Sequence, residues 1–161
     1  MQPVKMIDVG HKLVTVRTAE ASGSLLLQLK TLEHIRAGEL AKGDAVNTAR
    51  VAGIMAAKRT AEFVPLCHPL PLDAVDVDIR FEKGGDGCRA AVKATAKVVT
   101  SAKTGVEMEA LTAVAAALMT LYDMAKSIDR EMVISDIQLD TKTGGSRGNY
   151  VRSDGAAAPS E

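Results

Sequence analysis

Asp73-Ala74-Val75-Asp76-Val77-Asp78-Ile79-Arg80-Phe81-Glu82 decides the architecture. Val75, Val77, Ile79 and Phe81 alternate with Asp76, Asp78, Arg80 and Glu82, the period-two pattern of a strand with one dry and one wet face. Gly84-Gly85-Asp86-Gly87 then turns the chain. Cys88 to Thr100 returns as a second strand, with Ala90, Val92, Ala94, Ala96 and Val98 inward. Its outward Arg89, Lys93 and Lys97 can pair with Asp76 and Asp78 opposite. An antiparallel hairpin dry on one side needs a cover, and helices on one face supply it.

Working outward, Leu111, Val114, Ala115, Leu118, Tyr122 and Ala125 recur at helical spacing and predict a long helix from Val106 to about Arg130. Val133 to Leu139 reads as a final strand. Upstream, Asp44 is an N-cap for a helix reaching about Glu62, rich in small residues (Ala45, Ala49, Ala52, Gly53, Ala56, Ala57). Thr31 caps a shorter helix, Leu32 to Ala37, which Gly38 stops. Leu13 to Ala19 and Ser24 to Leu29 are β-prone, a strand pair joined near Ala21-Ser22-Gly23 or one bent strand. Between the second helix and the hairpin, Pro65, Pro69 and Pro71 preclude a regular helix and make a stiff, extended connector. The order strand, helix, helix, hairpin, helix, strand fits an α+β ferredoxin-like sandwich: an antiparallel sheet with helices packed on one face. Residues 1–150 are expected to form a single catalytic domain, and 151–161, ending in Ala156-Ala157-Ala158-Pro159-Ser160-Glu161, a flexible tail.

Composition narrows the function. The 161 residues carry 20 Lys and Arg against 20 Asp and Glu, so no bulk positive field draws nucleic acid. An RNA-binding sheet also needs aromatic platforms, and this hairpin offers only Phe81. No apolar run approaches the ~20 residues of a membrane span, and Met1-Gln2-Pro3-Val4-Lys5 lacks a secretion signal's apolar stretch. Two cysteines, Cys67 and Cys88, are too few for a disulfide framework. A cytoplasmic protein with neither nucleic-acid nor membrane partners fits these features. Aromatics are 2%, so the core is built of small aliphatic side chains that bury little area each. Such a core gains from subunit contacts, and an oligomer is expected.

Four constellations can carry chemistry, and each also has a plain structural reading. Cys67-His68 is pinned between Pro65 and Pro69; it is either a preset binding edge or a buried cysteine beside a surface histidine. Adjacent residues rarely chelate one metal together, so no metal site is read there. Lys103-Thr104-Gly105-Val106-Glu107-Met108-Glu109 opens the long helix, where carboxylates also suit the dipole. Glu107 and Glu109 stand about 200° apart, so one can face a pocket and the other a partner. Met119, Asp123, Lys126 and Arg130 form a stripe, in which Asp123 and Lys126 are either a surface ion pair or an acid–base pair. Lys142-Thr143-Gly144-Gly145-Ser146-Arg147 can present amides and cations to phosphate, or be a loose tail; its spacing is not that of a Walker loop. Lys42-Gly43-Asp44, at a helix start, is a weaker phosphate candidate.

Taken in order, Ala49-Arg50-Val51-Ala52-Gly53-Ile54-Met55-Ala56-Ala57-Lys58-Arg59-Thr60, Pro65-Leu66-Cys67-His68-Pro69-Leu70-Pro71-Leu72, Thr104-Gly105-Val106-Glu107-Met108-Glu109-Ala110-Leu111-Thr112-Ala113 and Tyr122-Asp123-Met124-Ala125-Lys126 closely resemble the cyclic pyranopterin monophosphate synthase family, the C protein of molybdenum cofactor biosynthesis. The likeness runs from about residue 6 to 150. It implies a ferredoxin-like fold and a homohexamer, a trimer of dimers with active sites at subunit interfaces. It implies a lyase that converts (8S)-3′,8-cyclo-7,8-dihydroguanosine 5′-triphosphate to cyclic pyranopterin monophosphate and releases pyrophosphate. By the same resemblance Asp123 and Lys126 are catalytic, with Asp123 expected as base and Lys126 as acid. Leu66, Cys67, His68, Met108, Glu109 and Glu107 are expected to bind substrate, with Cys67, His68, Met108 and Glu109 at the guanine end; Lys42, Arg17 and Lys142 are expected to hold the triphosphate or assist proton transfer, and Arg147 to neutralise phosphate. No cofactor is expected; magnesium can accompany the triphosphate. The alternative is an idle relative that binds a nucleotide without turning it over.

Overall fold

The computed structural model describes residues 3–83, 89–146 and 148–153. Among these residues, five strands and four helices follow in the order β1 (Thr15–Gln28), α1 (Leu29–Ala37), α2 (Ala45–Ala57), α3 (Thr60–Phe63), β2 (Ala74–Lys83), β3 (Arg89–Ala102), α4 (Glu107–Ala125), β4 (Val133–Thr143) and β5 (Tyr150–Val151). The sheet is antiparallel throughout, ordered β2-β3-β1-β4-β5. Its first four strands have the split βαβ order of ferredoxin-like sandwiches.

The hairpin has the expected faces. Ala90, Val92, Ala94, Ala96 and Val98 are buried on β3, as are Val77 and Ile79 on β2. Its turn, residues 84–88 including Cys88, lies outside the described residues. The outer-face pairing differs from expectation. Lys97 sits between Asp76 and Glu20 in the register, yet its Nζ meets Glu20, at 3.0 Å. Asp78 is engaged instead by Arg80, at 2.8 Å, and at 3.9 Å by Arg50.

β1 is one continuous strand, paired with β3 from Thr15–Ala102 to Gln28–Arg89. Gly23 does not turn the chain. A Cβ there would stand 2.9 Å from Val114 Cγ1 and from Leu118 Cδ1, so this glycine lets α4 lie close on the sheet. Gly53 does the same between helices, since a Cβ on it would come 2.9 Å from the Ala113 carbonyl oxygen. Small residues therefore set the spacing of both layers. α4 rests on the three strands β1, β3 and β4, with Ala110, Ala113, Val114, Ala117, Leu118 and Leu121 fully buried. Its length and composition would let it cross a membrane, but its apolar side is spent on this core.

Helix ends depart from the expected boundaries. Asp44 caps α2, its carboxylate accepting from Asn47 N at 3.0 Å, and Gly38 stops α1 with φ of 71°. α2, however, ends at Ala57. There the buried Thr60 hydroxyl donates to the Ala57 carbonyl, at 3.0 Å, and the chain restarts as the short α3. α4 ends at Ala125, which removes Arg130 from the helical stripe. The buried Asp129 beyond it accepts from Gln28 N (3.0 Å), Thr31 Oγ1 (3.1 Å) and Glu131 N (3.2 Å), tying the end of α4 to the start of α1. β5 was not expected: Tyr150 and Val151 pair with Lys142 and Thr141, and Arg152 N donates to the Asp140 carbonyl. Of the expected tail, residues 154–161 lie outside the described residues.

Candidate active site

A cleft of about 440 Å³ opens at the N-terminal end of α4. The proline connector forms one wall. Its ends are fixed by Cys67 N donating to the Val64 carbonyl (3.0 Å), Thr100 Oγ1 to the Pro71 carbonyl (2.5 Å) and Asp73 N to the Val99 carbonyl (2.8 Å). Leu66, Cys67 and His68 of this wall line the cleft. Opposite stand Glu107, Met108 and Glu109 from the first turn of α4, Arg17 from β1 and Lys142 from β4. Eight of the residues singled out in the sequence thus meet in one cavity.

Glu107 and Glu109 both face this cavity, rather than one turning to a partner. Glu107 pairs with Lys142 Nζ at 3.3 Å. Glu109 is 4% exposed, and burial pushes its carboxyl above the usual range, aided by the Glu107 charge. Burial also raises the Cys67 thiol, and the charge of Glu109 adds to the effect. Cys67 therefore stays a thiol at neutral pH, which suits binding better than nucleophilic attack.

The glycine loop has a packing role that was not anticipated. Gly144 and Gly145 have φ of 87° and 86°. A Cβ on Gly144 would overlap the Val16 carbonyl oxygen, and one on Gly145 would overlap the Arg17 guanidinium. The pair therefore brings the loop against Arg17, while Gly144 and Ser146 border the cleft. Arg147 lies outside the described residues.

Sequence reasoning missed three lining cations, Lys5, Lys12 and Lys103. Lys103 stood inside a quoted motif, and its place before the helix was the available signal; the N-terminal segment has no periodicity to read. Among the described residues, no carboxylate pairs with Lys5, Lys12, Arg17 or Lys103. Five cations thus face two carboxylates, one of them pushed toward its neutral form. Nor, among the described residues, do three or more His, Cys, Asp or Glu gather as a metal cage would require.

The expected acid–base pair is elsewhere. Lys126 Nζ lies 2.7 Å from Asp123 Oδ1 and Lys42 Nζ 2.5 Å from Oδ2, all three side chains about half exposed. Lys42 also donates to the Asp123 carbonyl, at 3.1 Å. Positions 109 and 123 of α4, at about 1.5 Å per residue, are roughly 20 Å apart. A single chain therefore does not unite Asp123, Lys126 and Lys42 with the cleft. Hydrogen bonds from Lys126 and then Lys42 hold the Asp123 carboxyl down to about 2. So clamped, it is ionised at neutral pH and a weak base.

Fold and cleft together define a ferredoxin-like α+β protein with a cation-rich cleft at the start of α4. Comparison with known proteins narrows this class. The chain belongs to the MoaC family, whose model matches residues 6–145. It is 53% identical over 157 residues to cyclic pyranopterin monophosphate synthase 3 of Mycobacterium tuberculosis, covering 98% of this chain and 86% of that protein. Identity to the cyclic pyranopterin monophosphate synthase of Thermomicrobium roseum is 53% over 153 residues, or 95% and 90% of the two chains. The corresponding enzyme of Heliobacterium modesticaldum is 49% identical over 148 residues, or 92% and 91%.

Proposed function

We propose that the chain is a cyclic pyranopterin monophosphate synthase of molybdenum cofactor biosynthesis, acting in the cytoplasm. It takes (8S)-3′,8-cyclo-7,8-dihydroguanosine 5′-triphosphate to cyclic pyranopterin monophosphate and pyrophosphate. The observation that carries this reading is the excess of cations in a cleft that Leu66, Cys67, His68 and Met108 also line. A triphosphate tail needs convergent positive charge, and Arg17 and Lys142 supply it beside Lys5, Lys12 and Lys103. The purine base needs an apolar and hydrogen-bonding wall, which Leu66, Cys67, His68, Met108 and Glu109 supply.

The reaction opens the imidazole ring, closes a pyrazine ring and forms a cyclic phosphate as a hydroxyl displaces pyrophosphate from the α-phosphorus. The ring steps move protons, and the last gathers charge on the leaving pyrophosphate, which cations stabilise. Asp123 and Lys126 are the proton-moving pair in this scheme. They reach the cleft only if a second copy brings its own α4 end to it, so the proposed unit is an oligomer, a trimer of dimers with composite sites. Entry of the triphosphate draws Lys42 from Asp123 to phosphate. The carboxylate then loses one of the two ammonium groups that suppress its basicity, and the base role becomes available.

Pyrophosphate release from the cyclised substrate tests the reading directly. The wild type should release it, and Lys126→Ala should be slower by about 10²-fold or more, the usual worth of a general acid. Wild-type protein that binds the substrate without releasing pyrophosphate would be a catalytically idle relative.

A further inference from the structure

Residues 3–14 form no helix or strand, yet Lys5, Ile7, Val9 and Lys12 line the cleft. The segment is weakly anchored: Val4 is 84% and Leu13 83% exposed. It folds on itself through Gly10 N to Asp8 Oδ1 (2.7 Å) and Lys12 N to the Val9 carbonyl (3.1 Å). Among the described residues, one hydrogen bond joins it to the rest of the chain. Lys103 Nζ donates to the Gly10 carbonyl at 2.7 Å. Lys103 lies in the short loop between β3 and α4, and its own carbonyl accepts from Arg17 Nη2 at 3.4 Å. One residue thus connects the N-terminal segment, the cleft wall and a cleft-lining arginine.

The charges give that connection a direction. Lys5, Lys12, Arg17 and Lys103 face one cavity with no carboxylate partner among the described residues, and like charges this close repel. Repulsion loosens the segment when the cleft holds only water. A polyanion reverses the sign and draws the same cations inward. The geometry points to a second role for the cleft-lining Lys103: through the Gly10 carbonyl it holds residues 3–14 as a strap across the cleft, a strap that tightens when a polyanion binds. This rests on the anion-binding part of the proposed function and not on turnover.

Hydrogen exchange on the full chain, with inorganic triphosphate as probe, tests it. In the wild type, triphosphate should slow exchange of the amides in residues 3–14 about tenfold. Lys103→Met keeps the chain length but removes the donor. It should leave these amides fast with or without triphosphate and weaken triphosphate binding about tenfold, while exchange in β1 and β3 stays unchanged. Lys103→Arg, which restores a charged donor, should recover the protection. Protection in Lys103→Met equal to the wild type would overturn the proposal. So would wild-type protein that binds triphosphate with no slowing in 3–14, a result that stands even if Lys103→Met fails to fold. Protection without pyrophosphate release from the true substrate would instead sink the synthase reading and leave the strap intact.

Discussion

Asp123 is held by two lysines that cannot both stay if one is to meet a phosphate. Its carboxyl sits at about 2 because Lys126 and Lys42 bond its charged form. Since that value is lower than in the unfolded chain, the pairing favours the fold above the ordinary carboxylate range and is lost as pH falls through about 2. Replacing either lysine by methionine should raise the Asp123 midpoint toward the ordinary range, Lys126→Met by more than Lys42→Met. Carboxyl carbon chemical shifts followed from pH 1 to 6 would read both midpoints. If neither moved, the ion pairs would have no part in tuning this group. That Asp123 and Lys126 touch was legible from their spacing, because i and i+3 share a helix face. Lys42 as the third member was not, because its position follows from how the turn before α2 meets the far end of α4.

Elements meet where residues are smallest. Gly53 to Ala gains about 1 kcal/mol of helix propensity but places a methyl against the Ala113 carbonyl, and such overpacking costs about 1–3 kcal/mol. The variant should be destabilised by about 1 kcal/mol net, as urea denaturation would show; a gain in stability would mean the helices separate freely. The Asp129 joint should matter more. Asp129→Ala leaves Gln28 N, Thr31 Oγ1 and Glu131 N without their acceptor and should cost about 2–4 kcal/mol by the same measurement. The hairpin was readable because its alternation has a single cause, one face in water. Gly23 left two readings open, a strand pair or one bent strand, because glycine serves turns and close approaches alike, and only the helix above it decides between them. β5 gave no signal, since two residues cannot display a period.

At the scale of the whole molecule, the two ends of α4 carry complementary halves of one proposed machine. If neighbouring copies complete each other, Lys126→Ala and Lys142→Ala damage different halves of each composite site. Each variant alone should release little pyrophosphate. Unfolding the two together and refolding the mixture should restore release, because some interfaces then pair an intact cleft with an intact Asp123–Lys126. A mixture no more active than its components would show that both clusters must serve within one chain, which their separation along α4 makes unworkable. The cleft was legible because its residues came in blocks held by proline and by a helix start. The separation of cleft and acid–base pair was legible too, because Glu109 and Asp123 stand near opposite ends of one 19-residue helix; that Lys42 joins the far end was not.

The pairing of Thr15 with Ala102 and of Gln28 with Arg89 also governs the birth of the molecule. β1 leaves the ribosome early, yet its central neighbour is translated only after three helices and β2. Until then β1, with its Leu25-Leu26-Leu27 run, has two bare edges, and the chain must close long loops before any rung of that ladder forms. Assembly of the sheet is thus a late, slow event, and the nascent chain is open to wrong partners until β3 emerges.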